Sequence, residues 1–355
     1  MKTFFRIGLF MAIFLQLATA FPCTTFTFSD GSGHRVYGRN FDFTTGLGHA
    51  VVNPRNLAKT AFISPPEKPV SWVSKYGSIT FNQNGREFPY GGMNEAGLVI
   101  EQMWLQESVY PPADDRYGLS ELQWIQYQLD NCATVKEVIE TDNRVRISYT
   151  SVATLHFLVS DAGGDAAVIE YLEGKMTVYH GRNLPYSALA NCPYEVSLDY
   201  HRNGGKSSQK EYTDWTRNSS GRFSKAAGML TGSSASENIV DFAFLVLDSV
   251  AQDNSTQWSI VYDITRREIH YKTRNNSDIR TLFLDAFDFA CTGTFLFADM
   301  DDDVGKPEDF SVYSYESNFA LIDEVCNNVD FLNENVTPEM RKMTARYPES
   351  VKCGE

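Results

Sequence analysis

Basic residues are in short supply. The chain has 31 Lys and Arg against 45 Asp and Glu, a formal net charge of −14 over 355 residues, and the basic residues nowhere cluster. Nucleic acid and anionic membranes both call for a Lys/Arg surface, so neither is expected as a main partner. Beyond the first twenty residues no stretch approaches the roughly 20 apolar residues of a membrane span, and no membrane anchor is expected. There is no CxxC pair. The six histidines (His34, His49, His156, His180, His201, His270) show no ligand spacing, which argues against a zinc site. Internal repeats and low-complexity linkers are missing as well. A hydrophobic content of 43% excludes a disordered chain. These features predict one globular domain with ample core and no metal site.

The first twenty residues have a different character. Lys2 and Arg6 are their charges, Ile7 to Leu17 is almost wholly apolar, and Ala18-Thr19-Ala20 fits a small-x-small cleavage site. This pattern predicts a secretory signal over 1–20 and an exported protein, periplasmic or secreted. A buried N-terminal helix is the alternative reading. Cleavage after Ala20 leaves Phe21-Pro22 ahead of Cys23, so a second trimming step is needed to make Cys23 terminal. The mature domain would then be 23–355, with 29 basic and 45 acidic residues. Export permits disulfides. Among Cys132, Cys192, Cys291, Cys326 and Cys353, the pair Cys326–Cys353 is the expected bridge. Sequons at Asn218, Asn254, Asn275 and Asn335 would matter in a eukaryotic secretory pathway.

Alternating β-rich residues predict strands over Cys23 to Phe28 and Val36 to Phe43, joined by the turn chemistry of Ser29-Asp30-Gly31-Ser32-Gly33. Further strands are expected at Ser78 to Phe81, Leu98 to Leu105, Thr154 to Ser160, Ala166 to Tyr171, Lys175 to Tyr179, Trp258 to Tyr262 and Glu268 to Tyr271. Gly91 to Gly97 reads as a turn, and Gly204 to Ser208 as a mobile loop. Helices are expected over Leu119 to Leu129, Val135 to Thr141, Arg222 to Leu230 and Glu237 to Ala251. Strands in runs and helices in pairs predict an α+β fold with antiparallel sheets. Asp299, Asp301, Asp302 and Asp303 suggest a calcium loop, but Gly305 falls one place late and Phe310 occupies the position that needs Glu. A solvated acidic loop is the expectation there.

A terminal Cys23 would supply both a thiol and a free α-amine. That amine has a reference pKa of about 7.7–8.0 and can act as a base near neutral pH. A thiol with a reference pKa of about 8.5 needs modest help to become a thiolate. Cys23 as a disulfide partner or a plain buried strand residue remains open on composition alone. Arg39 and Asp42 fall on the returning strand opposite Cys23. Asp42 there could hold the amine, and Arg39 could lower the thiol pKa, although an Arg and an Asp three apart are most often surface charges.

Cys23-Thr24-Thr25 followed by Gly38-Arg39-Asn40-Phe41-Asp42 resembles the start of the choloylglycine hydrolase family, which includes bile salt hydrolases and penicillin V acylases. Trp72 to Ser78, Gly92 to Leu98, Glu107 to Tyr110, Trp124 to Tyr127, Ala190 to Glu195 and Asn218 to Phe223 resemble successive family blocks in the family's order. The likeness runs from Cys23 to about Tyr271 and is greatest to the Gram-negative branch. It implies a four-layer αββα N-terminal nucleophile hydrolase with two stacked antiparallel sheets, cutting linear amide bonds of a small N-acyl amide without a cofactor. It also implies Cys23 as nucleophile, Asp42 as the residue binding its amine, and Arg39 and Arg222 as cations near the thiol. Asn191 resembles the oxyanion-hole side chain. Trp104 falls where members place Asn or Tyr, whose backbone N–H completes that hole, and its indole would wall the acyl pocket. A homotetramer is the family's assembly, although Val196 to Thr216 does not clearly match the assembly arm.

The sequence also departs from the family pattern. Gly91-Gly92 replaces the usual Asp-Gly, and Phe21-Pro22 precedes the nucleophile. Penicillin V, conjugated bile acids and N-acyl homoserine lactones all stay open as substrates. Two other readings remain: a cysteine dipeptidase of the related N-terminal nucleophile type, and a secreted binding protein with no enzymatic activity.

Overall fold

Asp30 makes the first turn. Its carboxylate accepts from the backbone N–H of Ser32 and of His34, and this closes the hairpin between β1 (Thr24–Ser29) and β2 (Arg35–Asp42). The strands pair antiparallel, with Thr24 opposite Asn40 and Ser29 opposite Arg35. The computed structural model describes residues 22–206, 211–232 and 238–354. The expected signal segment, Phe21, and Ser207 and Ser208 of the expected mobile loop lie outside them. No helix among the described residues is long and apolar enough to cross a membrane.

Around the hairpin grows a six-stranded antiparallel sheet. Ala188–Leu189 flanks β1, and Thr256–Asp263, Glu268–Thr273 and Arg280–Phe283 follow β2 in turn. A nine-stranded antiparallel sheet lies against it, with Val99–Trp104 paired to Leu155–Ser160 near its middle. The two sheets meet face to face. Tyr37 donates its hydroxyl to the Leu158 carbonyl at 3.0 Å, and the Tyr262 hydroxyl bonds Glu101.

Helices cover both outer faces. α1 (Glu121–Asn131) and α2 (Val135–Glu140) lie on the nine-stranded sheet, where Trp124 packs 4.5 Å from the Phe157 ring. α3 (Tyr194–Arg202), α4 (Asp214–Gly232) and α5 (Ile239–Val250) cover the other sheet, and Asn40 donates to the Leu247 carbonyl at 2.7 Å. The fold is therefore α+β, in the expected order helix, sheet, sheet, helix.

Several elements differ from the sequence expectation. Gly91–Asn94 is a strand paired on both sides, and the turn follows at Glu95 to Gly97. Glycine is needed there for space, because a Cβ on Gly91 would sit 2.1 Å from the Glu101 carboxylate. α4 starts at Asp214, so Arg222 stands two turns inside the helix rather than at its start. The weak helix formers Ser219, Ser220 and Gly221 had hidden this. Tertiary contacts override propensity, since Ser219 and Ser220 are fully buried.

The expected Cys326–Cys353 bridge does not form. Cys353 is joined to Cys291, with Cα atoms 5.7 Å apart, while Cys326 is a free buried thiol, as are Cys23, Cys132 and Cys192. The cause is the chain's last turn. Lys352 and Cys353 pair with Ala58 and Leu57, which carries Cys353 away from Cys326. Cys326 lies on a helix that the sequence reading missed. α6 (Tyr315–Asn328), α7 (Asp330–Asn335) and α8 (Pro338–Arg346) follow one another near the carboxyl end. Ser314 and Thr337 cap the first and third, accepting from the Ser317 and Met340 amides. The acidic loop is also less solvated than expected, because Asp301 accepts from the Thr273 hydroxyl and the Asn275 amide.

Candidate active site

Residues that are far apart in the chain converge on Cys23, which is 4% exposed. Its Sγ lies 3.7 Å from Arg39 Nη2 and 3.8 Å from the Asp42 carbonyl. Its backbone N–H, in peptide linkage to Pro22, donates to Asn191 Oδ1 at 2.6 Å. Arg222 reaches in from α4. Its Nη1 bonds the Cys23 carbonyl and the Thr24 hydroxyl, the latter at 2.6 Å, and its Nη2 is 3.1 Å from Asn191 Oδ1. The Asn191 Nδ2 donates to the Trp104 carbonyl at 2.9 Å. All six predicted site residues therefore meet at one place.

Three of these residues, Arg39, Asp42 and Asn191, are held by groups that the sequence reading did not single out. Arg39 is 1% exposed and lies 3.1 Å from Glu101, while its Nη1 also bonds the Gln102 carbonyl. Removing one partner of such a buried pair costs roughly 3–5 kcal/mol, so Glu101 is integral to Arg39's position. Thr256 donates to Asp42 Oδ1, while Asp42 Oδ2 is buried with no partner. Asn191 is clamped on both sides. Its N–H donates to Ser219 Oγ at 2.8 Å, and the preceding Ala190 carbonyl lies 2.6 Å from His156 Nε2. His156 is in turn 2.9 Å from Glu170, which also accepts from the Tyr194 amide. A charge inside an apolar strand, as in Val99-Ile100-Glu101-Gln102-Met103, was the signal that could have exposed Glu101.

Burial dominates the electrostatics. It pushes the Cys23 thiol up, with Arg39 working against it. It raises the Asp42 carboxyl to about 6, opposed by the Thr256 hydroxyl and by Arg222 and Arg39. Glu101 is raised to about 7, burial again outweighing Arg39 and Tyr262. For Arg39 burial alone would favour loss of the proton, but the Cys23 and Glu101 charges prevail and raise it.

The site opens into a cavity of about 510 Å³. Phe41, Phe62, Phe88, Trp104, Leu122 and Phe331 give it a largely apolar lining, and no Lys or Arg is among the described residues lining it. At the far end of the Thr256–Asp263 strand, Asp263, Glu268 and His270 place ligand-type atoms within 4.8 Å of one another, which sequence spacing did not reveal. They are tied to neighbours, Asp263 to His34 at 2.7 Å and His270 to Thr281 at 2.9 Å.

This geometry has relatives. The chain is 31% identical over 201 residues to a penicillin V acylase of Pectobacterium atrosepticum, covering 52% of each chain. It is 24% identical over 191 residues to a bile salt hydrolase/transferase of Clostridium perfringens, covering 50% of this chain and 55% of that one. It thus spans about half the length of the curated relatives it matches. Among solved structures, the penicillin V acylase from Agrobacterium tumefaciens superposes with a TM-score of 0.69 at 28% identity, over 82% of this chain and 98% of that one. A mutant conjugated bile acid hydrolase from Clostridium perfringens gives 0.61 at 18% identity, a likeness of fold, over 82% and 97%. Residues 23–245, more than half of the chain, match the family model itself. The chain belongs to the choloylglycine hydrolase family of linear amide C–N hydrolases.

Proposed function

We propose that this protein is an exported amidase that hydrolyses N-acyl amides bearing an apolar acyl group, with Cys23 as its nucleophile once Phe21 and Pro22 are removed. The observation that carries this reading is the Cys23 thiol. It lies 3.7 Å from the Arg39 guanidinium and lines the same apolar cavity as Asp42, whose Oδ2 has no partner. An ammonium group released by trimming at Cys23 would give that carboxylate one. The family match also begins at residue 23.

In the mechanism, the Cys23 thiolate attacks the substrate carbonyl and a C–S bond forms. The carbonyl electrons move onto oxygen, where Asn191 and the Trp104 backbone N–H are the assigned donors. In the unprocessed chain Asn191 Nδ2 is occupied by the Trp104 carbonyl, so this role requires the amide to turn toward the substrate. The tetrahedral intermediate collapses with loss of the C–N bond, and the Cys23 ammonium gives its proton to the leaving nitrogen. Water then attacks the thioester with the freed amine as base. The acid leaves and the thiol is restored. The lack of Lys or Arg among the described lining residues weighs against a dipeptide substrate, whose carboxylate would need a cationic partner in the pocket.

Two measurements test the reading. The intact mass of the exported protein should correspond to a chain beginning at Cys23, and a fully active chain beginning at Phe21 refutes the terminal-amine role. A panel covering penicillin V, glycine-conjugated bile acids, N-acyl homoserine lactones and dipeptides, read by amine release, should show turnover of acyl amides that is lost in Cys23→Ser.

A further inference from the structure

The carboxyl-terminal helices lie outside residues 23–245, yet they line the cavity that holds Cys23. Ile322 and Cys326 come from α6, Phe331 and Leu332 from α7, and Met340 and Met343 from α8. The apolar residues of α6 recur at 321, 322, 325 and 326, a stripe that faces inward and is buried. Phe331 meets the Trp104 indole edge-on, with ring centroids 5.6 Å apart. Trp104 is bonded through its carbonyl to Asn191, which takes the Cys23 N–H, so two residues, Trp104 and Asn191, link Phe331 to Cys23.

The wall is anchored from outside the cavity. Arg341 is 4% exposed and ties the three helices together, donating to Asp323 and Asn327 on α6 at 2.9 and 2.7 Å and to Asn333 on α7 at 2.8 Å. Asn318 accepts from the Arg86 amide at 2.9 Å, and Tyr347 donates to the Thr60 carbonyl at 2.9 Å. These bonds fix the wall to the turn at Arg86 and to the strand Leu57–Thr60.

We infer that this helical wall, and Phe331 in particular, determines acyl-group size: the Phe331 ring limits the space beside Trp104, and α8 closes the outer part of the pocket. This rests on the reading of Cys23 as an amidase nucleophile. The physical basis is shape. A single methylene in an apolar pocket is worth about 10–200-fold in discrimination, and a whole aromatic ring removes the room for several. Met343 stands at the rim, 56% exposed, where the longest chains alone would reach it.

The test uses the processed full-length protein and straight-chain 4-nitroanilides from butanoyl to dodecanoyl, together with the phenylacetyl compound. Phe331→Ala should raise kcat/KM for the longest and bulkiest acyl groups relative to butanoyl by roughly tenfold or more. Phe331→Trp should move the ratio the other way, and Met343→Ala should affect dodecanoyl alone. Ratios unchanged within about twofold in folded Phe331→Ala and Phe331→Trp proteins would overturn the inference. Isothermal titration of the Cys23→Ala protein with N-butanoyl and N-dodecanoyl glycinamide, with and without Phe331→Ala, reads the same preference without turnover. If neither the anilides nor the acyl amides of the panel above are cleaved, the amidase reading fails, while the titration still decides whether Phe331 sets acyl size.

Discussion

Around Cys23 the protein is built from polar geometry. Arg39, Asp42, Asn191 and Arg222 are buried, and each is held by named hydrogen bonds or a buried ion pair. Around Phe331 the same cavity is built from rings, aliphatic side chains and thioethers whose polar anchors lie behind the wall. Groups of the first kind act through direction and charge, so a small displacement costs a large factor in rate. Groups of the second kind act through volume, and volume-conserving changes are tolerated. The two regions should therefore break differently. If Cys23 is the nucleophile as proposed, damage at its end should lower kcat for every substrate, and damage to the wall should re-rank substrates while sparing the chemistry.

The largest expected effect comes from the disulfide. Cys291 and Cys353 are 62 residues apart, and losing a bridge that closes such a loop costs roughly 4 kcal/mol on the chain-entropy account. The Cys291→Ser/Cys353→Ser protein should show a correspondingly lower urea midpoint, and a midpoint within error of wild type would mean that the C-terminal strand holds without it. Next comes Asn191→Ala, which should lower kcat by about 10²–10³ on all acyl amides with a smaller change in KM. A uniform loss under tenfold in steady-state kinetics removes Asn191 from the oxyanion role.

Gly91→Ala reaches the site through one intermediary. The new Cβ drives into the Glu101 carboxylate, which holds Arg39, so a stability loss of about 1–3 kcal/mol should accompany slower alkylation of Cys23 by iodoacetamide. The smallest effect is one of pH. Glu101 titrates near 7 in the fold, above its ordinary 4.5, so the stability linked to its protonated form is present below about pH 4.5 and lost as pH rises through about 7. Asp42, near 6, acts in the same direction. Melting at about pH 5 and about pH 8 should therefore show Glu101→Gln losing less stability with rising pH than wild type, by about 1–2 kcal/mol. An equal loss in both proteins means Glu101 is not the group responsible.

The candidate site was legible where rare residue types stand in a fixed order. A cysteine just past an apolar stretch, Arg39 and Asp42 three apart, and Asn191 before Cys192-Pro193 formed a pattern that the fold gathers at one point. Glu268–Thr273, whose residues alternate between buried and half-buried, was legible for the same reason, because period two is local. The supporting groups were not. Nothing in the sequence near Glu101 says that its partner is Arg39, and nothing near Ser219 says that it accepts from the Asn191 amide. Partnership across more than 25 residues is a property of packing. The helices after residue 314 were hidden for a different reason. α7 and α8 are short and rich in Asn, Thr and charge, so their apolar stripes are weak until neighbours bury them.

By itself the sequence determined the class of chemistry and the alternation that makes two antiparallel sheets. It also determined which residues could supply a thiol, a cation, a carboxylate and an amide. Tertiary structure decided the rest. It joined Cys353 to Cys291 because a two-residue strand pairs with Leu57 and Ala58, and it brought the last helices over Cys23 because a buried arginine ties them into one wall. Local propensity is encoded residue by residue. The depth and shape of a pocket depend on surfaces that meet only when the whole chain has folded.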